Sequence, residues 1–197
     1  GHFTRPAGAS LHFFGTLDLA GGTLDIGAGG IFGAGGLSSL SSATLKSGTL
    51  TSGDGTVLTT TTGIGTLDGI TIGGNLTTSG TFYIANHLKL ASGITLDKGD
   101  SYFSWQTRGA QDLSTVSGTA TILSSGGSVV TAGMTTGQTV SIGTGITVRG
   151  RFGIGQSLTA TVVNNGTLVF DAGSSTINPS TFTNNGTIRT SGAAGLT

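Results

Sequence analysis

The sequence predicts an all-β fold: a single-stranded parallel β-helix, or β-solenoid, right-handed and three-sided, with coils of about 18–20 residues. Three observations predict it. First, a hydrophobic residue recurs every six positions. The run reads Leu58, Ile64, Ile70, Leu76, Phe82, Leu88, Ile94. It returns as Val116, Ile122, Ser128, Met134, Val140, Ile146, Phe152, Leu158, with only Ser128 out of type. A helix wants apolar residues at 3.6-residue spacing and a meander wants long alternating runs, so neither sustains a period of six. A short strand plus a turn does, and three such sides close one coil. Second, apolar residues come as doublets, among them Leu24/Ile26, Ile70/Ile72, Phe82/Ile84, Leu88/Leu90, Val140/Ile142 and Leu168/Phe170. Residues i and i+2 of a strand point to one side, so each doublet is a short strand sending two side chains inward. Third, Gly, Thr and Ser supply 96 of 197 residues. Phased hydrophobics at 35% distinguish this from a disordered Gly/Ser tract. Gly, Asn and Asp between the doublets suit the corners.

Along the chain, residues 1–14 fall outside the rhythm and read as a lead-in, with Phe3, Phe13, Phe14, Arg5 and Pro6 set to cover the first coil. From residue 15 to 197 one continuous solenoid is expected. Leu17, Leu24 and Ile31 begin it at a spacing nearer seven. Residues 27–42 are Gly/Ser-rich and read as loose coils or a loop anchored by Ile31, Phe32, Leu37 and Leu40. The regular block runs from Leu58 to Leu96, with Leu58, Leu76 and Ile94 expected in one ladder and Ile64 with Phe82 in another. Residues 97–115 break the rhythm and read as an excursion, a coil carrying a bulged loop. The last coils hold two near-copies, Asn164-Asn165-Gly166-Thr167-Leu168 and Asn184-Asn185-Gly186-Thr187-Ile188, set 20 residues apart. Asn165 and Asn185 should stack with their amides bonded. The whole predicts roughly ten coils and a rod on the order of 45–50 Å. The drift in coil length favours the right-handed form by analogy between folds.

Composition excludes more than it identifies. Eight basic residues balance eight acidic ones, so there is no basic stripe for nucleic acid. Every acid is Asp. There is no Cys, and no run long and apolar enough to span a membrane. The chain opens Gly-His without Met and reads as a processed or excised piece.

The Asn-Asn-Gly-Thr-Leu/Ile units, the triplets Gly15-Thr16-Leu17, Gly22-Thr23-Leu24, Gly48-Thr49-Leu50 and Gly65-Thr66-Leu67, and the Glu-free, Cys-free composition resemble the passenger regions of bacterial surface adhesins. Filamentous-haemagglutinin-like proteins and autotransporter passengers are similar. The resemblance covers the chain from about residue 15. It implies a right-handed β-helix carried on, or released from, the bacterial cell surface as a stalk. Its partners would be a host-cell or matrix receptor or a glycan. Bactofilin cores share the six-residue rhythm but rank lower, being richer in Glu and Lys.

The candidate binding residues lie in the non-repeating stretch: Asp97, Asp100, Tyr102, Trp105, Arg108 and Asp112. It holds the only Trp, one of two Tyr and five of sixteen charges. Aromatic faces beside carboxylates and Arg suit a sugar ring, and loops on a rigid scaffold often carry function. Trp105 is expected outside the coil, because a core sized for Leu and Ile would be overpacked by it. Tyr102 and Arg108 are expected beside it. Asp97, Asp100 and Asp112 could act as catalytic carboxylates, but no spacing fixes the separation that hydrolysis needs, and Asp is a common corner residue. His87 is a lone imidazole without an acidic partner in sequence. Ser52-Gly53-Asp54-Gly55 and Leu67-Asp68-Gly69 read as turns, outside the Gly-Gly-x-Gly-x-Asp frame of a calcium roll. Thr59, Thr77 and Thr95 would stack on an outward line at 18-residue spacing, with Thr61, Ser79 and Asp97 beside it. A flat Thr array of that kind suggests ice binding, but Asp97 spoils it. No catalytic residue, cofactor or metal is expected. The function expected is a structural or adhesive segment of a secreted or surface protein. Two alternatives stand beside it: a carbohydrate-binding or polysaccharide-cleaving β-helix acting through residues 97–112, and a filament subunit stacking head to tail.

Overall fold

A computed structural model describes residues 4, 6, 9–37, 39–131, 137–155, 160–192 and 194–197. Among them there is no helix. Parallel strands stack in about seven coils to form a β-solenoid. Each full coil visits three sides in turn. Side a carries Leu76–Ser79, Thr95–Asp97, Ala120–Ser124, Ile146–Gly150, Thr167–Phe170 and Thr187–Thr190. Side b carries Tyr102–Trp105, Ser128–Val130, Gly153–Gly155, Ser174–Asn178 and Gly195–Leu196. Side c carries Thr23–Asp25, Ala110–Thr115, Thr139–Ile142, Thr161–Asn164 and Thr181–Asn184. In the earlier coils the strands are longer and bend from one side to the next: Ser39–Thr51 covers all three, and Gly65–Ile72 and Thr81–Leu90 cover sides b and c.

The interior is one continuous hydrophobic cluster. Alternation builds it: in Gly65–Ile72, Leu67, Ile70 and Ile72 are buried while Thr66 and Thr71 face out. Matching residues stack from coil to coil, as in Leu45 on Leu67 on Ile84 and Ile70 on Leu88 on Leu113. Phe152 stacks on Phe170 at 4.5 Å between ring centroids, while Phe82 meets Phe103 edge to face at 6.1 Å. Parallel ladders satisfy the backbone groups that this burial removes from water.

Coil length is where the sequence reading needs correction. The step is 18 residues from Ile70 to Leu88, but 25 from Leu88 to Leu113 and 29 from Leu113 to Ile142. It returns to 20 from Leu168 to Ile188. Longer coils mean fewer of them, about seven rather than ten, and a rise of about 34 Å. Extra residues go into corners, where they leave the inward ladders untouched. The expected ladders shift accordingly. Leu58 lies opposite Thr78, Leu76 stacks on Leu96, and Phe82 pairs with Gly65 rather than Ile64. Val116, expected inside, is 62% exposed, because Leu113 takes the ladder position. Ile31 is exposed while Phe32, Leu37 and Leu40 are buried around the turns of residues 27–37. Met134 and Leu158 lie outside the described residues.

The lead-in already contains strand from His12, pairing His12 with Ser39 and Phe13 with Leu40. Phe3, Arg5 and His2 lie outside the described residues. Residues 97–115 complete a coil whose extra length bulges at its corners. Tyr102–Trp105 and Ala110–Thr115 take sides b and c, and the added length sits in the corners at 98–101 and 106–109. The expected Thr line is replaced by another: Thr95, Thr121, Thr147, Thr167 and Thr187 pair in succession on side a. The neighbouring outward column reads Asp97, Leu123, Arg149, Val169, Arg189, so no second hydroxyl rank accompanies it.

Candidate binding corner between sides a and b

The corner joining side a to side b gathers charge that the coils elsewhere spread thinly. Successive corners at 97–101, 124–127, 149–152 and 171–173 stack above one another, since Asp97 lies opposite Leu123 and Leu123 opposite Arg149. They bring together Asp97, Lys98, Asp100, Arg149, Arg151 and Asp171, six of the sixteen charged residues.

Lys98 is the anchor. Its side chain is fully buried. Its Nζ donates to Gly126 O at 2.6 Å, Ser124 Oγ at 3.1 Å and Gly99 O at 3.4 Å, with the Phe103 ring centroid 6.0 Å away. Three acceptors for three protons tie two successive corners together. Burial pushes its ammonium down to about 8, against the opposing pull of Asp100 and Asp97. Ser124 completes the knot: its Oγ lies 2.8 Å from both Gly126 O and Arg151 O, which share its one proton. Asp97 caps its own turn by accepting from Gly99 N–H at 3.0 Å. Gly150 closes the next corner with φ 113, and a Cβ there would lie 1.9 Å from Ser124 O, so only glycine fits.

Two clefts open on this knot. The first, about 280 Å³, is bordered by Tyr102, Arg151 and a glycine-rich floor. The second, about 350 Å³, includes Asp97, Arg149 and Asp171. In the second, Arg149 is committed: its Nε donates to Asp171 Oδ2 at 3.0 Å and its Nη2 closes a salt bridge to the same oxygen. In the first, Arg151 Nε donates to Ser125 O at 2.9 Å, which orients the guanidinium.

The residues singled out from sequence scatter over three places. Asp97, Asp100 and Tyr102 belong to this corner, with Tyr102 47% exposed. Trp105 does not: it is fully buried, stacked on Ile84, with Nε1 donating to Val129 O at 3.3 Å. Two facts overturn the expectation of an outward Trp. Residues 102 and 105 are three apart in one strand and so face opposite ways. The coil here is also long enough to enclose an indole. Arg108 is exposed in the corner between sides b and c, away from Tyr102. That corner is held by Gln138, whose Nε2 donates to Trp105 O at 2.8 Å and Thr107 O at 3.0 Å. Asp112 is on side c, opposite His87 on the preceding coil, an acidic neighbour that linear sequence hides. Its carboxylate accepts from Ser114 Oγ.

Sequence reasoning missed Lys98, Arg149, Arg151 and Asp171. The signal for Lys98 was present in Asp97-Lys98-Gly99-Asp100, one of three Lys in the chain, set between two carboxylates. Nothing local marked the others, because stacking alone unites them. Among the described residues no three His, Cys, Asp or Glu come together in a way that could hold a metal ion. No protein-family model matches the chain, and neither does a curated protein or a solved structure.

Proposed function

We propose that this solenoid is a rigid scaffold presenting a binding surface at the corner between sides a and b, as the adhesive segment of a secreted or surface-carried bacterial protein. One observation carries the reading. Six of sixteen charges, five of them outside the core, and an exposed Tyr102 gather at one corner, while the other ten charges are spread over the rest of the chain. A charged and aromatic patch on a rigid scaffold is the composition of a recognition site. The buried Lys98 knot preorganises the clefts, so little ordering is needed on binding. The bacterial and extracellular part of the reading rests on the resemblance of the Asn-Asn-Gly-Thr repeats to adhesin passengers.

Catalysis has less support. Asp97 caps a turn and Asp171 is paired with Arg149, so both carboxylates already serve structural contacts. The reading therefore expects no turnover of polysaccharides. The experiment is adhesion of the purified chain to immobilised glycans, matrix proteins and epithelial cells, beside a Tyr102→Ala/Arg151→Ala variant. Adhesion lost in the variant at an unchanged melting temperature is expected. Adhesion equal in both would remove the corner as the site.

A further inference from the structure

The cleft beside Tyr102 owes its depth to one missing side chain. On side b, Ser128 pairs with Gly153, and Gly153 pairs with Thr176. Ile154 is buried, so a side chain at 153 would point outward between the two hydroxyl residues. A Cβ on Gly153 would meet Thr176 Oγ1 at 3.5 Å and Ser128 Oγ at 3.7 Å, ordinary contact distances. No left-handed φ requires glycine there. Gly127 differs: it has φ 63, and a Cβ on it would lie 2.3 Å from Asp100 O, so the backbone itself demands glycine. Gly153 is thus a gap in an outward column rather than a conformational necessity.

The edges of the gap carry recognition groups. Tyr102 borders it, half exposed, and among the described residues its hydroxyl makes no hydrogen bond. Arg151 borders it too. Its Nε is held by Ser125 O, while its two terminal nitrogens have no partner among the described residues. Asp100 stands behind Gly126 and does not border the cleft. The one charged group lining the cleft is therefore cationic.

We infer that this notch is a subsite for a sugar ring bearing a carboxylate, a uronic-acid unit of an acidic polysaccharide. The apolar C–H face of a pyranose packs against an aromatic ring, as apolar cleft walls do with ligands. The carboxylate takes the two free Arg151 donors side by side, the geometry a guanidinium fork offers. Exposed Thr176 supplies a hydroxyl to the ring's own hydroxyls, buried Ser128 braces the floor by donating to Gly153 O at 3.0 Å, and the bare Gly153 admits the ring. A volume of about 280 Å³ holds a short sugar segment, not a long one. The inference rests on the corner being the binding surface.

The test is calorimetric titration with tri-galacturonate and, as the neutral probe, galactotriose. Tri-galacturonate should bind at least tenfold more tightly than galactotriose. Gly153→Ala should weaken it about tenfold without moving the melting temperature. Tyr102→Ala should weaken both probes, Tyr102→Phe neither by more than about twofold. Arg151→Gln should erase the preference for the acidic probe. Equal affinity for the two probes, or undiminished binding by Gly153→Ala, overturns the inference. If Gly153→Ala proves less stable, the Tyr102→Ala/Tyr102→Phe pair decides, and equal binding by both variants overturns it. If tri-galacturonate does not bind while the chain still adheres to surfaces through the corner, only the ligand class is wrong. If adhesion is absent too, the binding role falls with it.

Discussion

Lys98 makes the stability of this protein depend on pH in an unusual direction. Its ammonium titrates at about 8 in the folded chain against 10.5 when unperturbed. Between those values the unfolded chain binds the proton and the folded chain has released it. Stability therefore rises as pH rises through that window. A shift of this size corresponds to a gain on the order of 3 kcal/mol across it. Denaturant titrations at pH 7.5 and 10.5 should find the gain in the native sequence and not in Lys98→Met. The variant also removes the shorter of the two hydrogen bonds to the Gly126 carbonyl, leaving that from Ser124 Oγ, a loss of about 1–3 kcal/mol at either pH. A pH-independent native sequence would mean that the amine keeps its proton inside the corner. Asp54 moves oppositely. Hydrogen bonds from Ala28 N–H and from the Thr56 hydroxyl and N–H hold its carboxyl at about 2, so its contribution is lost only as pH falls toward that value.

Among the strands, alternation decides which substitutions matter. Trp105→Ala empties a fully buried site, and large-to-small changes of this kind cost about 3–5 kcal/mol. A melting temperature shifted by only a degree or two would contradict the inward placement. Leu113 and Val116 make a sharper pair, three residues apart yet on opposite sides of the wall. Leu113→Ala should cost about 2–5 kcal/mol, and Val116→Ala should stay within about 0.5 kcal/mol. Equal costs in thermal melts would mean the register is displaced. The Asn repeats illustrate the same division. Asn185 Nδ2 donates to Asn165 Oδ1 at 3.0 Å, as the repeat itself foretells. The companion ladder, Asn164 Nδ2 to Asn184 Oδ1 at 2.7 Å, starts from a fully buried side chain that also accepts from Gly166 N–H. Periodicity finds both pairs, but only the fold tells which faces inward.

Each coil touches mainly its neighbours, so the rod should open from an end rather than all at once. Burial is graded: Leu67, Ile70, Phe82 and Leu88 are at most 1% exposed, whereas Phe182 and Ile188 in the last coils are only partly buried. Hydrogen exchange on the 197-residue chain should therefore protect amides of Gly65–Ile72 and Thr81–Leu90 far more than those of Thr181–Asn184 and Thr187–Thr190. Uniform protection would mean a single cooperative unit.

The sequence by itself determined that this is a stacked parallel solenoid and most, though not all, of the residues that fill it: Val116 and Ile31 face out and Trp105 faces in. Period, doublets and corner chemistry are local properties, and Ile70, Phe82, Leu88, Ile122, Val140 and Ile146 are buried as the rhythm requires. Coil length was legible only where corners are short, as between Ile70 and Leu88. Corners accept extra residues without disturbing the inward ladder, so no local signal records how many are inserted. The corner between sides a and b was decided by tertiary structure alone. Arg149, Arg151 and Asp171 lie 52 to 74 residues from Asp97 in the chain, and only stacking of successive coils brings them to the same edge. Trp105 and Tyr102, neighbours in sequence, were parted for the converse reason: strand pleating sends one to the core and the other to the cleft.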